Sequence, residues 1–190
     1  MRRIINSTFI TLGGVVEGPH LWPSLGGEED SRSYQLHIDL IQSCDAVVMG
    51  RRTYEGFAAA WPTRSGDPYS DRLNAMRKYV VSTTLTAPEW NNTQVIEGDV
   101  VAELTALKHA PGNDIVQYGF GDVSRLMLEH ALLDEIRLWV HPLILGSGDP
   151  GDLLFGATSS VGLALVESTQ LRDGVVVLRY EVERVLARAA

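Results

Sequence analysis

The chain has 190 residues, of which 45% are apolar and 21% charged, and its net charge is −8 at pH 7. These values are typical of a soluble globular protein that can bury a substantial core, and they predict a single domain. We place that domain at residues 1–183, followed by a tail at 184–190. The acidic balance argues against a general nucleic-acid or anionic-membrane surface, so a phosphate site would be a local exception.

The cysteine count and the hydropathy pattern indicate the cellular compartment. The lone cysteine, Cys44, allows no internal disulfide, and no Cys/His spacing resembles a zinc site, so we predict no metal. No apolar run reaches membrane-spanning length, and the N-terminus reads as a strand and not as a signal peptide. We therefore expect a reducing, cytoplasmic setting.

Strand-like and helix-like segments alternate along the first two-thirds of the chain, and only strand-like segments follow. This order predicts an α/β fold with a mostly parallel central sheet and flanking helices. Asp173-Gly174 predicts a tight antiparallel hairpin at one edge. The predicted strands are 3–10, 46–50, 78–84, 93–98, 114–121, 135–145, 163–171 and 175–182, and the predicted helices are 28–43, 51–60, 71–77, 99–110 (with Asp99 as N-cap) and 122–133.

One stretch, VVMGRRTYEGF at 47–57, carries two arginines at the start of a predicted helix. Positive charge is unfavourable there because the helix macrodipole favours anions at its N-terminus. Gly50 permits a tight turn, the first helical N–H groups can hold a phosphate, and Arg51, Arg52 and Thr53 add donors. The alternative is that the arginines are solvated or paired with Glu55 or another carboxylate.

Two further strand ends carry polar or glycine-rich residues. In VVSTT, hydroxyl groups follow a strand, although simple turn chemistry explains such a cluster equally well. In YGFGDVSRL, two glycines precede a helix, and such a backbone nest can accept a phosphate. Because ligands of open α/β sheets bind at the carboxyl ends of the strands, these segments together indicate a dinucleotide site. The residues concerned are Ser82, Thr83 and Thr84 in the first segment and Gly119, Gly121 and Asp122 in the second.

These motifs resemble the dihydrofolate reductase superfamily. Within it, the chain is most similar to the C-terminal reductase domain of bacterial riboflavin-biosynthesis deaminase-reductases and their stand-alone relatives. The resemblance runs from STFITLGGVVEGP to GVVVLRYEV and includes IVQYGFGDVSRLMLEHALLDEIRLWVHPLILGSG. The H-x-E and P-C-x-x-C motifs of a deaminase are missing from this sequence. The resemblance implies a dihydrofolate-reductase-like three-layer fold and NADPH as the hydride donor.

The resemblance also implies roles for individual residues. The glycine-arginine turn of the family holds cofactor phosphates, and a basic residue there favours the 2′-phosphate of NADPH. Hydroxyl groups after the next strand flank the adenosine ribose, and a paired-glycine motif lies under the pyrophosphate and nicotinamide. The positions carried over are Gly50, Arg51, Arg52 and Thr53 for the phosphates, Ser82 and Thr83 for the ribose, and Tyr118, Gly119, Phe120, Gly121, Asp122 and Val123 for the last motif.

The chain departs from the family pattern at three places in the expected coenzyme and substrate sites. Relatives usually read S-L-D-G in the first loop, whereas this chain has Thr11 followed by Leu12, Gly13 and Gly14. Phe120 replaces the second glycine of the pair, and a cis bond before it would cost about 3 kcal/mol, which favours trans. The helix carboxylate that holds the pterin of dihydrofolate reductases falls near Tyr34, which argues against folate.

The sequence offers no convincing general acid for the proton that accompanies the hydride. Tyr34 has the best position by family analogy, with water as an equal alternative and Asp30 and Asp39 as further acids on the same helix. Thr11 and Gly13, together with the loop tryptophans Trp22 and Trp61, are candidates for the substrate pocket. The segment 145–149 is a further candidate for the pocket rim.

Three functions remain open at this point. The first is an NADPH-dependent reductase acting on a small heteroaromatic substrate, most like 5-amino-6-(5-phosphoribosylamino)uracil reductase of riboflavin biosynthesis. The second is a dihydrofolate or pterin reductase, and the third is a non-catalytic NADP(H)-binding protein. Arg64 and Arg72 are candidates for a substrate phosphate. Relatives commonly form dimers and apolar edge strands need cover, so we expect a homodimer.

Overall fold

A computed structural model describes residues 1–25, 31–145, 150–154 and 160–185. It contains an eight-stranded sheet and five α-helices within this part of the chain. The strands are β1 (Ile4–Thr11), β2 (Cys44–Gly50), β3 (Arg77–Val81), β4 (Thr93–Ile96), β5 (Asp114–Tyr118), β6 (Glu135–His141), β7 (Val161–Gln170) and β8 (Val176–Val185). The helices are α1 (Ser31–Ser43), α2 (Arg51–Ala60), α3 (Pro68–Ala75), α4 (Val100–His109) and α5 (Asp122–Glu129).

The strand order is β4-β3-β2-β5-β1-β6-β8-β7. The first six strands of this order are parallel, whereas β8 runs antiparallel to both β6 and β7. The predicted α/β class with a C-terminal antiparallel hairpin is therefore confirmed. Parallel strands are buried on both faces, which explains why the apolar run Val47–Met49 in β2 is continuous and fully buried.

Helices cover both faces of the sheet and produce two separate hydrophobic cores. Buried residues of α1, α2 and α3 pack on one face with Val47, Met49 and Val116. Buried residues of α4 and α5 pack on the other face with Ile4 and Val48. The result is a three-layer arrangement of helices, sheet and helices.

The topology creates a crevice at the carboxyl ends of β2 and β5, which are neighbours in the sheet. The chain leaves β2 through α2 and α3 on one face and returns to β3 on one side. It leaves β5 through α5 on the other face and returns to β6 on the opposite side. This is a topological switch point, where open α/β sheets bind their ligands.

Several element boundaries differ from the predictions for local reasons. The predicted helix 71–77 is instead Pro68–Ala75, because the side chain of Asp67 caps it and proline suits its first position. The predicted strand 135–145 ends at His141, since Pro142 has no N–H for a sheet hydrogen bond. β8 continues to Val185, which pairs with Val161, so residues 184 and 185 of the predicted tail belong to a strand.

The predicted Asp173-Gly174 hairpin is present with a longer turn than a two-residue one. The N–H of Leu171 donates to the carbonyl oxygen of Val175, and Gly174 takes a φ of +85°. Asp30, residues 146–149 of the pocket-rim segment and residues 186–190 of the tail lie outside the described residues. Within the described ranges, no helix combines the length and apolar character that crossing a bilayer requires.

Candidate functional site

The N-terminus of α2 lies at the carboxyl end of β2 and has no side-chain cap. Its N-cap residue is Gly50, in extended conformation, so the first N–H groups of the helix have no side-chain acceptor. Arg51 donates to Glu55 over 2.8 Å, which is the pairing that the sequence left as an alternative. Arg52 is exposed and makes no ion pair with any residue that the structure describes.

The N-terminus of α5 lies at the carboxyl end of β5 and is also uncapped by a side chain. Its N-cap is Gly121, whose missing Cβ would meet no atom within 4 Å. Asp122, the first helical residue, is fully exposed and lies 3.2 Å from Arg125. Together, Gly121 and the helix start leave an open cradle bordered by backbone N–H groups.

The helices α3 and α4 begin differently. The Asp67 carboxylate accepts hydrogen bonds from the N–H groups of Tyr69 and Ser70 at the start of α3. The Asp99 carboxylate accepts from the N–H of Ala102 at the start of α4, which confirms the predicted cap. The absence of a side-chain cap on both α2 and α5 is therefore a local feature of the switch point.

The two uncapped helix starts contact each other. A Cβ on Gly119, whose φ is +78°, would lie 2.5 Å from the Thr53 hydroxyl oxygen in α2. A Cβ on Gly50 would lie 3.5 Å from the Val123 side chain in α5. The tertiary structure thus brings the predicted phosphate residues of both strand ends into one crevice, with glycine at the two closest approaches.

Phe120 stands at the position where the family motif has its second glycine. Its side chain is 7% exposed and belongs to the core between the sheet and α5. A side chain at this position therefore points into the protein and does not fill the crevice. The peptide bond between Gly119 and Phe120 is trans, like the others in the described residues.

Ser82 and Thr83 follow β3, which neighbours β2 at the same edge of the sheet. The Ser82 hydroxyl oxygen accepts from the N–H groups of Thr84 and Leu85, so it has a turn-forming role. It also lies 3.5 Å from the Thr84 hydroxyl oxygen, and either hydroxyl can be the donor of that contact. Thr83 is exposed.

A continuous chain of aromatic side chains covers the α1 side of the carboxyl edge. It runs from Tyr118, at the end of β5, to Trp22, in the loop after β1, with ring centroids 4.0 to 6.1 Å apart. The predicted pocket residues Trp22 and Trp61 are thereby joined to the crevice at the ends of β2 and β5. The members, in spatial order, are Tyr118, Phe57, Trp61, Tyr69, His37, Trp139, Phe9, His141 and Trp22.

Two tyrosine hydroxyls meet within this aromatic chain, because the oxygens of Tyr69 and Tyr118 are 2.8 Å apart. Burial raises the pKa of Tyr69 to about 12 and raises that of Tyr118 well above its ordinary value. Both hydroxyls are therefore protonated at neutral pH. One donates to the other, which leaves one hydroxyl hydrogen for a further acceptor.

His37 lies at the centre of the aromatic chain and stacks on Trp139 with ring centroids 4.0 Å apart. Burial, assisted by the positive charge of Arg137, lowers the pKa of His37 to about 4, so the imidazole is neutral at pH 7. Its Nδ1 atom is buried without a partner in the described part of the chain. An unprotonated Nδ1 costs less there than an unpaired N–H, which places the proton on Nε2.

The remaining predicted residues lie around this edge. The Tyr34 side chain is 48% exposed, and its hydroxyl donates to Asp67 over 3.3 Å. The buried hydroxyl of Thr11 accepts from the N–H of Val15 and so forms the first loop. Gly13 is exposed in that loop, next to Ile144.

The two arginines considered for a substrate phosphate lie elsewhere. Arg72 donates to the carbonyl oxygen of Cys44, at the amino end of β2 and thus opposite the crevice. Arg64 lies over the Trp61 ring at 4.7 Å and borders a shallow cavity of about 450 Å³ near Trp90. We assign no substrate role to Arg72. No cluster of three potential metal ligands occurs among the described residues.

Sequence reasoning missed most of the aromatic chain, including Phe57, Tyr69 and His37. Phe9 and Trp139 pair directly across β1 and β6, so their positions follow from strand register, which the sequence did not supply. Tyr69 belongs to α3, whose start was predicted three residues too late. The missed signal was the Asp67-Pro68 helix start, which would have moved Tyr69 from a loop into the first turn.

The protein has an α/β fold in which two uncapped helix starts meet at a topological switch point. The chain belongs to the RibD C-terminal domain family, whose model matches residues 2–177. This is a riboflavin-pathway reductase family, and its reductase domains use a nicotinamide cofactor. The predicted superfamily resemblance is thus confirmed.

Individual relatives agree with this assignment. The chain is 28% identical over 187 residues to the uncharacterized protein YyaP of Bacillus subtilis (strain 168), covering 94% of each protein. A pyrimidine reductase-like protein from Corynebacterium diphtheriae shares the fold with a TM-score of 0.69 at 16% identity, over 96% of this chain and 92% of that one.

A bifunctional protein from Thermotoga maritima matches as well. It is a diaminohydroxyphosphoribosylaminopyrimidine deaminase/5-amino-6-(5-phosphoribosylamino)uracil reductase, with a TM-score of 0.65 and 16% identity. The match covers 95% of this chain but 56% of that protein. The TM-scores establish a common fold.

Proposed function

We propose that the protein is an NADPH-dependent reductase that transfers a hydride to a small heteroaromatic substrate. The observation that carries the proposal is the pair of uncapped, glycine-led helix N-termini that meet at the switch point. Free backbone N–H groups at two converging helix starts suit the pyrophosphate of a dinucleotide. The family's use of a nicotinamide cofactor supports the same reading.

The residues present fit this coenzyme. The open space at Gly121 admits a phosphate, and the exposed guanidinium groups of Arg51 and Arg52 supply donors for a 2′-phosphate. The Arg51–Glu55 pair is exposed and contributes at most about 1 kcal/mol, so a phosphate can displace it. When bound, NADPH supplies the hydride, while the chain binds, orients and shields the reactants.

The aromatic chain supports a flat, uncharged substrate ring. Its partly exposed members Trp22, Phe57 and Trp61 offer rings for stacking. The hydroxyl pair of Tyr69 and Tyr118 and the imidazole of His37 are neutral, so the aromatic chain brings no charge to the substrate ring. None of its members carries a carboxylate that could hold a protonated pterin ring. We therefore favour a substrate like 5-amino-6-(5-phosphoribosylamino)uracil over dihydrofolate or another pterin.

Tyr34 is the proposed proton donor, with water as the alternative. Its hydroxyl reaches solvent, and partial burial together with the Asp67 carboxylate raises its pKa, which keeps the phenol protonated at neutral pH. The hydrogen bond to Asp67 holds the side chain at the start of α3. A substrate that enters from the α1 side would meet this hydroxyl first.

Isothermal titration calorimetry with NADPH, NADP+ and NADH tests the coenzyme. We expect NADPH and NADP+ to bind and NADH to bind more weakly. Oxidation of NADPH in the presence of 5-amino-6-(5-phosphoribosylamino)uracil, compared with dihydrofolate, then tests the substrate. No heat with any of the three coenzymes would refute the proposal, and coenzyme binding without turnover of either substrate would favour a non-catalytic NADP(H)-binding protein.

We also propose a homodimer. β7 is an edge strand whose side chains Leu163, Leu165 and Val166 are 41%, 56% and 49% exposed. An exposed apolar edge of this kind is a liability for a monomer, and a second copy is the cover we propose. Sedimentation equilibrium is expected to give twice the chain mass, and Leu165→Lys is expected to give a monomer.

A further inference from the structure

The carbonyl oxygen of Gly119 lies at the centre of a buried hydrogen-bond network. It accepts from the Asn6 side-chain amide at 2.8 Å, from the Gln117 side-chain amide at 2.8 Å and from the Ser124 hydroxyl at 3.1 Å. These donors come from three different elements, β1, β5 and α5. Three side chains thus hold one backbone carbonyl of the turn that borders the crevice.

The donors are themselves interlocked. The Gln117 side-chain oxygen accepts from the Asn6 amide, and it shares the single hydrogen of the Ser124 hydroxyl with the Gly119 carbonyl oxygen. The Gln117 amide also donates to the carbonyl oxygen of Tyr118. Asn6 and Ser124 are 0% exposed and Gln117 is 1% exposed. Among these three side chains, the buried Oδ1 atom of Asn6 has no hydrogen-bond partner in the described part of the chain, and the other polar atoms are paired. Polar groups buried this deeply are rarely left unpaired, because an unmade hydrogen bond is costly in an apolar layer.

The network fixes the orientation of the Gly119–Phe120 peptide group. In a trans peptide the C=O and N–H bonds point in opposite directions, so an inward carbonyl turns the Phe120 N–H away from the three donors. That N–H has no acceptor in the described part of the chain. The Phe120 ring is anchored in the core on the other side of the peptide. Rotation of this peptide would break the network and dislodge the ring.

We propose that Asn6, Gln117 and Ser124 are positioning residues that hold the Gly119–Gly121 turn ready for the pyrophosphate and nicotinamide half of the coenzyme. The proposal rests on the proposed NADP(H) site. The side chains act through the turn, by aiming its backbone N–H groups outward. A turn ordered in advance does not have to be ordered on binding, which strengthens affinity.

The test compares two ligands on the full chain. NADPH covers both halves of the site, whereas adenosine 2′,5′-bisphosphate carries the adenosine with its 2′- and 5′-phosphates but lacks the second phosphate, the second ribose and the nicotinamide. Ser124→Ala is the main variant because alanine favours the helix and removes one donor. Asn6→Leu is the second, since it removes the amide at similar volume. Thr8→Val is the matched control, because the Thr8 hydroxyl is buried on the same strand and has no hydrogen-bond partner among the described residues.

Ser124→Ala is expected to bind NADPH about tenfold more weakly by calorimetry, the loss typical of one hydrogen bond. Asn6→Leu removes two hydrogen bonds and is expected to weaken NADPH binding at least as much. The affinity of both variants for adenosine 2′,5′-bisphosphate should stay within about twofold, as should both affinities of Thr8→Val. Equal losses for both ligands, or NADPH affinity unchanged in Ser124→Ala, would overturn the positioning role. A wild-type protein that binds adenosine 2′,5′-bisphosphate and NADPH equally would overturn it too. A wild-type protein that binds neither ligand would instead refute the proposed function.

Discussion

The helix pairs α2/α5 and α3/α4 solve the same physical problem in different ways. Each helix begins with N–H groups that lack an intrahelical acceptor. In α3 and α4, the carboxylates of Asp67 and Asp99 accept those hydrogen bonds. In α2 and α5, glycine stands at the N-cap and no side chain accepts them.

The difference follows position in the fold. The uncapped starts meet at the carboxyl ends of β2 and β5, where connections leave the sheet in opposite directions. An aspartate cap contributes about 1 kcal/mol to stability, and these two helices forgo it. Helix starts that are left open at a switch point are free to bind an anion supplied from outside, which is how we interpret them.

We expect the largest effect from a substitution that gives α5 an aspartate cap like that of α4. Gly121→Asp adds a carboxylate at a residue whose φ is −122°, and a Cβ there would meet no atom within 4 Å, so the protein should fold normally. The carboxylate would satisfy the helix start and repel the coenzyme phosphates. We expect NADPH affinity to fall more than about a hundredfold by calorimetry, with an unchanged or slightly raised melting temperature.

Gly98→Asp is the matched control for this experiment, since Gly98 has equally open surroundings and precedes the capped helix α4. It adds the same charge at the carboxyl end of β4, which β3 separates from β2, and should leave NADPH affinity within about twofold of wild type. If both variants bind NADPH as wild type does, the open start of α5 does not contribute to the coenzyme site.

A second experiment distinguishes the contribution of the arginine charges of α2 from that of the backbone N–H groups at the start of this helix. In the double variant Arg51→Ala, Arg52→Ala, the helix start remains but the guanidinium groups are lost. We expect NADPH to bind about a hundredfold more weakly while NADH loses less than about threefold, because only NADPH carries the 2′-phosphate. Arg77→Ala, an exposed cation at the amino end of β3, is the control. Equal losses for the two coenzymes would mean that these arginines do not recognise the 2′-phosphate.

A third experiment concerns pH and the aromatic chain beside the helix starts. Burial depresses the pKa of His37 to about 4 in the folded protein, against 6.5 for the free group. As the pH falls below 6.5, the unfolded chain binds a proton that the folded one excludes, so stability is lost between pH 6.5 and 4. We expect a loss of about 2 kcal/mol at pH 5.

His37→Phe keeps a ring over Trp139 and removes the titrating group. Urea unfolding at pH 7 and pH 5 should therefore show a smaller loss of stability in this variant than in the wild-type protein. Identical pH dependence in the two proteins would show that His37 is not held neutral by its surroundings.

The smallest expected effect concerns the capped helices α3 and α4. Asp99→Ala removes the acceptor for the Ala102 N–H and should lower the free energy of unfolding by about 1 kcal/mol, measured in urea. Coenzyme affinity should be unchanged, because α4 follows β4 and does not begin at the switch point between β2 and β5. A loss of affinity without a loss of stability would remove the distinction between structural and functional helix starts.

Most of the fold was accessible from the sequence because its signals are local. Apolar runs such as Val47–Met49 predict buried strands, Asp99 predicts a helix start, and Asp173-Gly174 predicts a hairpin. Errors fell at element ends, where one residue decides the outcome. Asp67 moved the start of α3 towards the N-terminus, and Pro142 ended β6 early.

The site was predictable in part for the same reason. The glycine and arginine segments at Gly50 and Gly119 are continuous in sequence, so their chemistry can be read without coordinates. The sequence does not reveal that Thr53 touches Gly119, since that contact depends on β2 and β5 being neighbours. The strand order places sequence-distant segments side by side.

The sequence by itself determined the α/β class, the alternation of elements and the family, because these depend on periodicity and short motifs. Only the tertiary structure decided which helix starts stay uncapped together, which aromatic side chains form one surface, and that Asn6, Gln117 and Ser124 share one carbonyl. The physical reason is that hydrogen bonds and ring contacts are made between neighbours in space. Parallel strand order makes neighbours of residues that are more than a hundred positions apart, as with Asn6 and Gly119.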